Sequence, residues 1–431
     1  MTTSPSRAPR ARFELFAVTA PGLESITAGE LKTLGIKGHQ QPDGGGGIAF
    51  EGDLDRMYLA NLWLRTASRV LVRLGRFHAS TFYELERRAK KIRWADFLPE
   101  TGSVTARVTC RKSRLYHSDA VAERLLGVIA GVAPPGIDLQ IAGSSSEDTG
   151  IEENEAKAAG RAVPKGDAAA RSQSFVVRIV NDQCEISADT SGELLHRRGY
   201  RQEVAKAPLR ETLAAAMVLA SGWRSDEPLV DPMCGSGTIP IEAALIGRKM
   251  APGVDRRFQF MNWPSFDMRM WNELLEKAKA SVVKGHLDIR GADRDAGAIE
   301  SAARNAERAG VAGDIKFSTE SVSGSFAALE DVADGEGWMI TNPPYGVRVG
   351  ESGDLRNLYS TLGTGLKAKR GWRIGILTAD DSLAAQMRTQ IRSRFESRNG
   401  GIPVRYLVSE RSDRSASSHN PVAVGAKESD R

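Results

Sequence analysis

The stretch Ile340-Thr341-Asn342-Pro343-Pro344-Tyr345-Gly346 decides how the rest of the chain is interpreted. Its two prolines fix their own φ angles, and a residue that precedes proline is held in extended geometry. Asn342 and Pro343 therefore aim a side-chain carbonyl and a backbone carbonyl in fixed directions, which suits a planar amine such as that of a nucleobase. Tyr345 offers a ring face for stacking, and Gly346 permits close approach. Taken alone, the motif is equally compatible with a tight loop at a strand end.

Residues 228–238 lie upstream of this motif and predict a strand, a turn with Gly235 and Gly237, and the start of a helix. The glycines let a ligand approach the backbone, and the helix N-terminus favours an anionic group. The turn is not a P-loop, because no Gly-Lys-Ser/Thr follows, and it lacks the full GxGxxG spacing of a dinucleotide site. Asp231 at the strand end would repel a phosphate, so the turn suits a ligand that carries an ammonium or a sulfonium.

A second predicted strand, residues 287–293, ends in Asp293. In doubly wound folds an acid at this place hydrogen-bonds ribose hydroxyls, usually about 20 residues further on. The offset here is longer because of an insertion at 250–284, which carries several aromatic residues. We predict that these residues form a satellite hydrophobic cluster rather than a ligand cage, because aromatic side chains dominate protein cores. They are Phe258, Phe260, Trp263, Phe266 and Trp271.

Four further strands complete the predicted α/β half, and the first two are residues 315–317 and 338–340. Residues 373–378 and 403–408 follow. The strand at 338–340 delivers the Asn-Pro-Pro-Tyr turn to the carboxyl edge of the sheet, where ligands bind in open α/β sheets. The glycine-rich turn, Asp293 and the Asn-Pro-Pro-Tyr turn are then all expected at one edge of the sheet. Their combination indicates a site for a nucleoside-bearing cofactor that faces a planar amine.

The first half of the chain predicts a smaller α+β region. Strands are expected at 13–18 and 48–50, and helices at 22–34 and 54–64. Two more strands, at 175–180 and 184–188, flank Asn181-Asp182 and predict a hairpin.

Residues 65–114 carry thirteen Lys and Arg against four acids, a local balance of 13 − 4 = +9, whereas the whole chain is +5. Trp94, Phe97 and Tyr116 lie within or beside this stretch. Basic residues interleaved with aromatics are typical of a nucleic-acid surface. A solvated basic face is the alternative. Residues 196–201, His-Arg-Arg-Gly-Tyr-Arg, add a compact basic segment.

Several classes of protein are excluded by composition. The three cysteines are far apart and the six histidines are scattered, so neither a disulfide framework nor a metal site is expected, and a reducing cytoplasm fits. The sequence contains no long uncharged apolar run, so no membrane-spanning helix is predicted. Residues 1–12 are polar and lack the apolar core of a secretory signal.

The chain resembles the THUMP-domain class I S-adenosylmethionine-dependent RNA methyltransferases, specifically the bacterial group that methylates guanine N2 in large-subunit ribosomal RNA. The resemblance extends over about residues 13–408. It is carried by LHRRGYR (195–201), APLRETLAAAM (207–217), DPMCGSGTIPIEAA (231–244), GADRDAGAIESAARNAERAG (291–310) and TNPPYGVRVG (341–350).

This resemblance implies a Rossmann-like class I methyltransferase α/β sheet, preceded by a smaller α+β region that combines a ferredoxin-like module with a THUMP RNA-binding domain. The expected divisions run in chain order. They are a disordered basic arm (1–12), the ferredoxin-like module (13–78), the THUMP-like domain (79–190) with a flexible insertion (144–174), a basic linker (191–206), the methyltransferase domain (207–409) and a disordered tail (410–431).

The resemblance also implies S-adenosyl-L-methionine as the cofactor. Asp231, Gly235 and Gly237 would line its methionine part, and Asp293 would hold its ribose. The family often has an acid after the third strand to contact the adenine amine, and either Glu320 or Ser321 would take that role here.

For the substrate, the resemblance implies that Asn342 and Pro343 bind the guanine amine and that Tyr345 stacks on the base. The family's usual Glu after this motif is replaced by Val347. The basic residues expected to contact RNA are Arg107, Arg111, Lys112, Arg114, Arg197, Arg198 and Arg201.

The expected reaction is therefore methyl transfer to guanine N2 in RNA, with 23S ribosomal RNA favoured over transfer RNA. The alternatives are a DNA adenine-N6 or release-factor glutamine substrate, against which the basic first half argues, and a non-catalytic RNA-binding assembly factor. The intact acid, glycines and Asn-Pro-Pro-Tyr turn argue against the last. The target nucleotide, protein partners and oligomeric state stay open.

Overall fold

The computed structural model describes residues 12–41, 46–142, 171–202, 209–328, 335–344 and 352–409. They form two sheets with helices packed against them. The expected arm lies outside these residues apart from Arg12, and so does the tail from residue 410. Most of the expected insertion at 144–174 also lies outside, but its last three residues belong to a strand that begins at Ser172.

The N-terminal sheet has eight strands in the order β2-β3-β1-β4-β8-β7-β5-β6. Its strands are β1 (Phe13–Thr19), β2 (Gly38–Gln40), β3 (Gly47–Gly52), β4 (Ala67–His78), β5 (Ser103–Arg111), β6 (Asp138–Ile141), β7 (Ser172–Val180) and β8 (Gln183–Asp189). Its helices are α1 (Glu24–Thr33), α2 (Leu54–Trp63), α3 (Phe82–Ala89) and α4 (Ser118–Ala130).

The predicted strands and helices of this half are confirmed. Strand β5 shows why the pattern works, because Val104, Ala106 and Val108 are buried while the residues between them are partly exposed. The β7–β8 hairpin turns through Asn181 (φ 50°) and Asp182 (φ 62°), as a two-residue hairpin requires.

The sheet runs without interruption across the expected division at residue 78, which is the last residue of β4. Strand β4 pairs antiparallel with β8, so that Val72 lies opposite Ala188. The two expected N-terminal domains therefore share one sheet.

The second sheet has seven strands in the order β11-β10-β9-β12-β13-β15-β14. Its strands are β9 (Leu229–Asp231), β10 (Ile289–Asp293), β11 (Ile315–Thr319), β12 (Gly337–Thr341), β13 (Trp372–Thr378), β14 (Ile391–Asn399) and β15 (Ile402–Ser409). The helices of this half are α5 (Glu211–Ser221), α6 (Thr238–Gly247), α7 (Met268–Ala280), α8 (Ala296–Arg308), α9 (Val322–Ala327), α10 (Ser352–Ala368) and α11 (Asp381–Ala385).

The first five strands of this sheet are parallel, and β15 returns antiparallel beside β13. The chain order reverses between β9 and β12, which is the position where ligands bind in doubly wound sheets. All six predicted strands are confirmed. Strand β14 is not predicted by the sequence, because it is an edge strand in which only Phe395 and Ser397 are buried.

The aromatic insertion packs into the core of the N-terminal half. The Phe260 ring stacks on Tyr58 with centroids 4.5 Å apart, and Trp271 meets Tyr58 edge-on at 5.8 Å. Trp263 meets Phe97 edge-on at 4.9 Å. The expected packing role is confirmed, but the cluster is not a satellite, since it completes the main N-terminal core.

In the part of the chain that the structure covers, no helix combines the length and the apolar character needed to cross a membrane.

Candidate functional site

Three strands of the second sheet end at one edge with polar residues. Strand β9 ends in Asp231, β10 in Asp293 and β12 in Thr341. Because Asp231 lies opposite Gly291 of the parallel strand β10, Asp293 extends two residues further at the same edge. The structure thus brings together the two acids and the Asn-Pro-Pro turn, as the sequence predicts.

Asp231 is 1% exposed, and its Oδ1 accepts hydrogen bonds from Thr341 Oγ1 at 2.7 Å and from the Met233 amide at 3.2 Å. Burial raises the pKa of this carboxyl to about 7 against the lowering effect of both bonds, and the Asp293 carboxylate adds to the increase. The Thr341 contact ties β9 to β12. A buried acid with so few donors attracts a cationic group.

The glycine-rich turn depends on left-handed backbone at Gly235 (φ 53°) and Gly237 (φ 82°). A Cβ at Gly237 would lie 2.9 Å from the Cβ of Ala302, so only glycine fits there. A Cβ at Gly235 would meet nothing within 4 Å, so this residue borders open space that a ligand can enter.

Asp293 is held by two backbone amides. Its Oδ2 accepts from the Gly235 amide and its Oδ1 from the Asp295 amide, both at 3.0 Å. Each carboxylate oxygen has a second lone pair, so Asp293 can accept from two vicinal hydroxyls as well. This arrangement suits a ribose.

The two candidates for the adenine contact differ in what their side chains already bind. Ser321 Oγ accepts from the Gly324 amide at 3.1 Å and caps α9. Glu320 Oε2 is buried and has no hydrogen-bond donor among the residues that the structure describes. The Glu320 amide donates to the Asp293 carbonyl at 2.9 Å, which places Glu320 beside the acid expected to bind the ribose.

The Asn342 side chain provides a second buried acceptor without a donor. Its Oδ1 is fully shielded, and no group within the described ranges donates to it. A buried acceptor left in this state costs about 1–3 kcal/mol, which a ligand amine would recover. Pro343 beside it is buried and Pro344 is exposed. Tyr345 and Val347 lie outside the described residues.

Part of the predicted basic stretch is exposed at the far end of β5. Arg111, Lys112 and Arg114 are exposed, and the Arg114 amide donates to Asp182 Oδ1 at 2.7 Å, which fixes the loop to the β7–β8 turn. Tyr116 is 68% exposed in the same loop. Arg107 is half-buried on β5, and Arg197 is exposed. Arg69 and Arg73 instead pair with Asp189 and Glu185 at 15% and 5% side-chain exposure, and Trp94 and Phe97 are core residues.

Two arginines expected to contact RNA turn inward instead. The Arg198 side chain is 2% exposed and forms an ion pair with Glu242 at 2.8 Å. The Arg201 side chain is 13% exposed and pairs with Glu211 at 3.3 Å. A compact basic segment therefore does not by itself indicate a surface, because interior carboxylates on α5 and α6 take up its charge.

Sequence reasoning assigned no role to Thr341 or to Asn305, a fully buried polar residue of α8. Thr341 lies inside the quoted motif at the end of a predicted strand, and this position could have indicated that its hydroxyl faces the site. No cluster of His, Cys, Asp or Glu suited to a metal occurs in the residues for which the structure gives positions.

Comparisons with known proteins agree with this geometry. The family model described as UPF0020, RMKL-like methyltransferase domain, matches residues 198–407, and the RlmL ferredoxin-like domain model matches residues 14–71. "Putative RNA methyltransferase YpsC" of Bacillus subtilis is 33% identical over 92% of this chain and 95% of its own length. "Ribosomal RNA large subunit methyltransferase K/L" of Syntrophotalea carbinolica is 33% identical over 92% of this chain, which spans only 53% of that relative.

Two solved structures are similar over most of the chain. SMU.472, titled a putative methyltransferase complexed with SAH, has a TM-score of 0.77 at 28% identity and covers 93% of this chain and 98% of its own. A protein of Listeria monocytogenes, titled a predicted N6-adenine-specific DNA methylase, has a TM-score of 0.75 at 32% identity, with 92% and 96% covered.

Proposed function

Because the chain belongs to the RMKL-like methyltransferase family, we propose that it transfers a methyl group from S-adenosyl-L-methionine to the exocyclic N2 amine of a guanosine in RNA. The expected class I methyltransferase fold with an N-terminal ferredoxin-like module is confirmed. The THUMP assignment of residues 79–190 and the expected domain divisions form part of the proposal.

The observation that carries the proposal is the buried Oδ1 of Asn342, which has no hydrogen-bond donor among the described residues. It stands next to the Pro343 carbonyl and one residue after Thr341, which is bonded to Asp231. The Thr341 hydroxyl thereby connects the two acceptors for an amine, Asn342 Oδ1 and the Pro343 carbonyl, to the Asp231 carboxyl, which can face a cation. Such a site suits methyl transfer onto an amine.

The residues at this edge fit S-adenosyl-L-methionine. Asp231 and the open space at Gly235 suit the charged methionine end, and Asp293 suits the ribose hydroxyls. Glu320 Oε2, which no described residue donates to, suits the adenine amine. We favour Glu320 over Ser321, whose hydroxyl already caps a helix. When bound, this cofactor supplies an electrophilic methyl group on a positively charged sulfur.

The protein's part in the reaction is to position the amine. A guanosine turned out of its stack lies on Tyr345. Asn342 Oδ1 and the Pro343 carbonyl accept the two N2 hydrogens, which orients the nitrogen lone pair and makes it more nucleophilic. Orientation of this kind can contribute about 7–11 kcal/mol to a rate.

Ribosomal RNA is the proposed substrate, ahead of transfer RNA. The K/L relative is named for large-subunit ribosomal RNA, and the exposed loop of Arg111, Lys112, Arg114 and Tyr116 offers charge and a ring to a polyanion. A cytoplasmic location agrees with that substrate.

Adenine N6 in DNA is the second candidate, because its amine would fit the same acceptor pair and the Listeria structure carries a title of that kind. Methyl transfer from labelled S-adenosyl-L-methionine to unmodified ribosomal RNA, transfer RNA and DNA, followed by nucleoside analysis, separates these cases. Labelled N2-methylguanosine from ribosomal RNA is the expected product. Labelled N6-methyldeoxyadenosine from DNA would overturn the guanine assignment.

The Asn342 role is tested with Asn342→Ala, which should lower methyl transfer sharply while the Kd for the cofactor stays unchanged. Asn272→Ala removes an exposed asparagine from α7 and serves as the matched control. Equal activity of the two variants would remove Asn342 from the mechanism.

The RNA surface is tested by the salt dependence of binding. Replacing Arg111, Lys112 and Arg114 with alanine should reduce the slope of log K against log salt by about 0.7–0.9 for each lost phosphate contact. The control variant removes three cations from α7, namely Arg269, Lys277 and Lys279. Identical slopes for the two variants would assign the RNA surface to another part of the chain.

A further inference from the structure

A buried asparagine reaches the glycine-rich turn from the neighbouring helix. Asn305 of α8 is fully buried, and its Nδ2 donates to the Ser236 carbonyl at 3.0 Å. Its Oδ1 accepts from Arg308 Nη2 at 2.5 Å. A guanidinium can only donate and a backbone carbonyl can only accept, so these two contacts fix which end of the amide faces the turn.

Arg308 is itself anchored to the segment that joins the two halves of the chain. Its Nε donates to the Tyr200 carbonyl at 2.8 Å. The Tyr200 hydroxyl and Arg198 both contact Glu242 Oε1, at 2.9 Å and 2.8 Å. Arg198 Nη2 then donates to the Arg65 carbonyl at 2.8 Å, two residues before β4 begins. A continuous series of contacts thus runs from the N-terminal sheet to the turn.

The turn needs such support because it is built from residues with little conformational restriction. Ser236 stands between two glycines in left-handed conformations, and glycine changes φ at low cost. The Gly235 amide is held by Asp293 and the Gly237 amide by the Cys234 carbonyl. The Ser236 carbonyl accepts its hydrogen bond from Asn305, which lies on helix α8 and not at a strand end.

We propose that Asn305 and Arg308 are positioning residues that keep the glycine-rich turn in its ligand-binding conformation, and that Tyr200 and Arg198 anchor them. This inference rests on the cofactor role proposed above for the turn. It assigns Arg198 and Tyr200 of the basic segment to internal support of the site rather than to substrate contact.

The test is the Kd for S-adenosylhomocysteine by titration calorimetry, with the thermal midpoint measured on the same samples. Asn305→Asp keeps the shape and the Arg308 contact but sets an acceptor against the Ser236 carbonyl. A buried hydrogen bond replaced in this way should weaken cofactor affinity by about 10- to 100-fold. Arg308→Met should weaken it as well, and Arg308→Lys should restore part of the loss. RNA affinity should not change.

Arg304→Met is the matched control, because it removes a cation from the same helix one turn earlier, where the side chain is 46% exposed. A wild-type protein that does not bind S-adenosylhomocysteine would refute the proposed function. Wild-type affinity in folded Asn305→Asp or Arg308→Met would overturn the inference alone, even with a lowered thermal midpoint. If Asn305→Asp does not fold, the two Arg308 variants decide the question by the same criterion.

Discussion

Replacing Thr341 with valine removes the hydroxyl that donates to the buried Asp231 carboxylate at 2.7 Å and leaves the shape of the side chain nearly unchanged. Of the donors to Asp231 among the described residues, the Met233 amide then remains. The charged form of the carboxyl becomes less favourable, so its pKa must rise. We expect the pH range over which cofactor affinity increases to move upward from its wild-type position near pH 7.

The size of the effect follows from the hydrogen bond. A bond to a charged group contributes about 1.5–3 kcal/mol, which moves the pKa up by roughly 1 to 2 pH units from its value of about 7. At pH 7.5 the ionised fraction of Asp231 then falls from about three-quarters to between about 24% and 3%. Affinity for a cationic ligand should fall about 3- to 25-fold at this pH and recover as the pH rises.

The assay is the Kd for S-adenosylhomocysteine between pH 6 and pH 9. The wild-type protein should gain affinity through a midpoint near 7, because the carboxyl is ionised above its pKa. Thr341→Val should displace that midpoint upward, and Thr341→Ser, which keeps a hydroxyl, should restore it. A Thr341→Val variant with the wild-type midpoint would refute the electrostatic link between the two strand ends.

Three other substitutions have defined outcomes. Asp231→Asn should abolish cofactor binding and should raise the thermal midpoint when this is measured at a pH above 7. Because the pKa of Asp231 is raised to about 7, its ionisation destabilises the wild-type fold as the pH rises from about 4 through 7. The gain in thermal midpoint should therefore vanish near pH 4. Gly237→Ala should lower stability by about 1–3 kcal/mol in a denaturant titration, because it forces an L-residue into a left-handed conformation against Ala302. Trp271→Ala should cost about 3–5 kcal/mol and lower the midpoint of the whole chain in one calorimetric transition.

The sequence predicts the second sheet well because its strands are apolar and their ends carry the chemistry. Asp231, Asp293 and Asn342 could all be placed at one edge from strand order alone, and the structure puts them there. Strand β14 could not be predicted, because it is polar on most of its length and is specified by its neighbour β15 rather than by its own pattern.

The contacts that run between distant parts of the chain were beyond sequence reasoning. Charge in the segment 196–201 looks the same whether it faces solvent or an interior carboxylate, and only the position of Glu242 decides that Arg198 is buried. The aromatic insertion was expected to pack, but its partner Tyr58 lies some 200 residues earlier. Sequence patterns report local periodicity and carry no information on such pairings.

The packing of Phe260 and Trp263 into the core of the N-terminal half limits how parts of this chain can be exchanged with those of its relatives. The family models match 14–71 and 198–407 separately, yet Phe260 of the second stretch packs on Tyr58 of the first. A recombinant that exchanged one piece alone would leave these rings without their partners. We therefore expect the two pieces to pass between genomes together, and a working chimera to need residues 250–284 from the same parent as its N-terminal half.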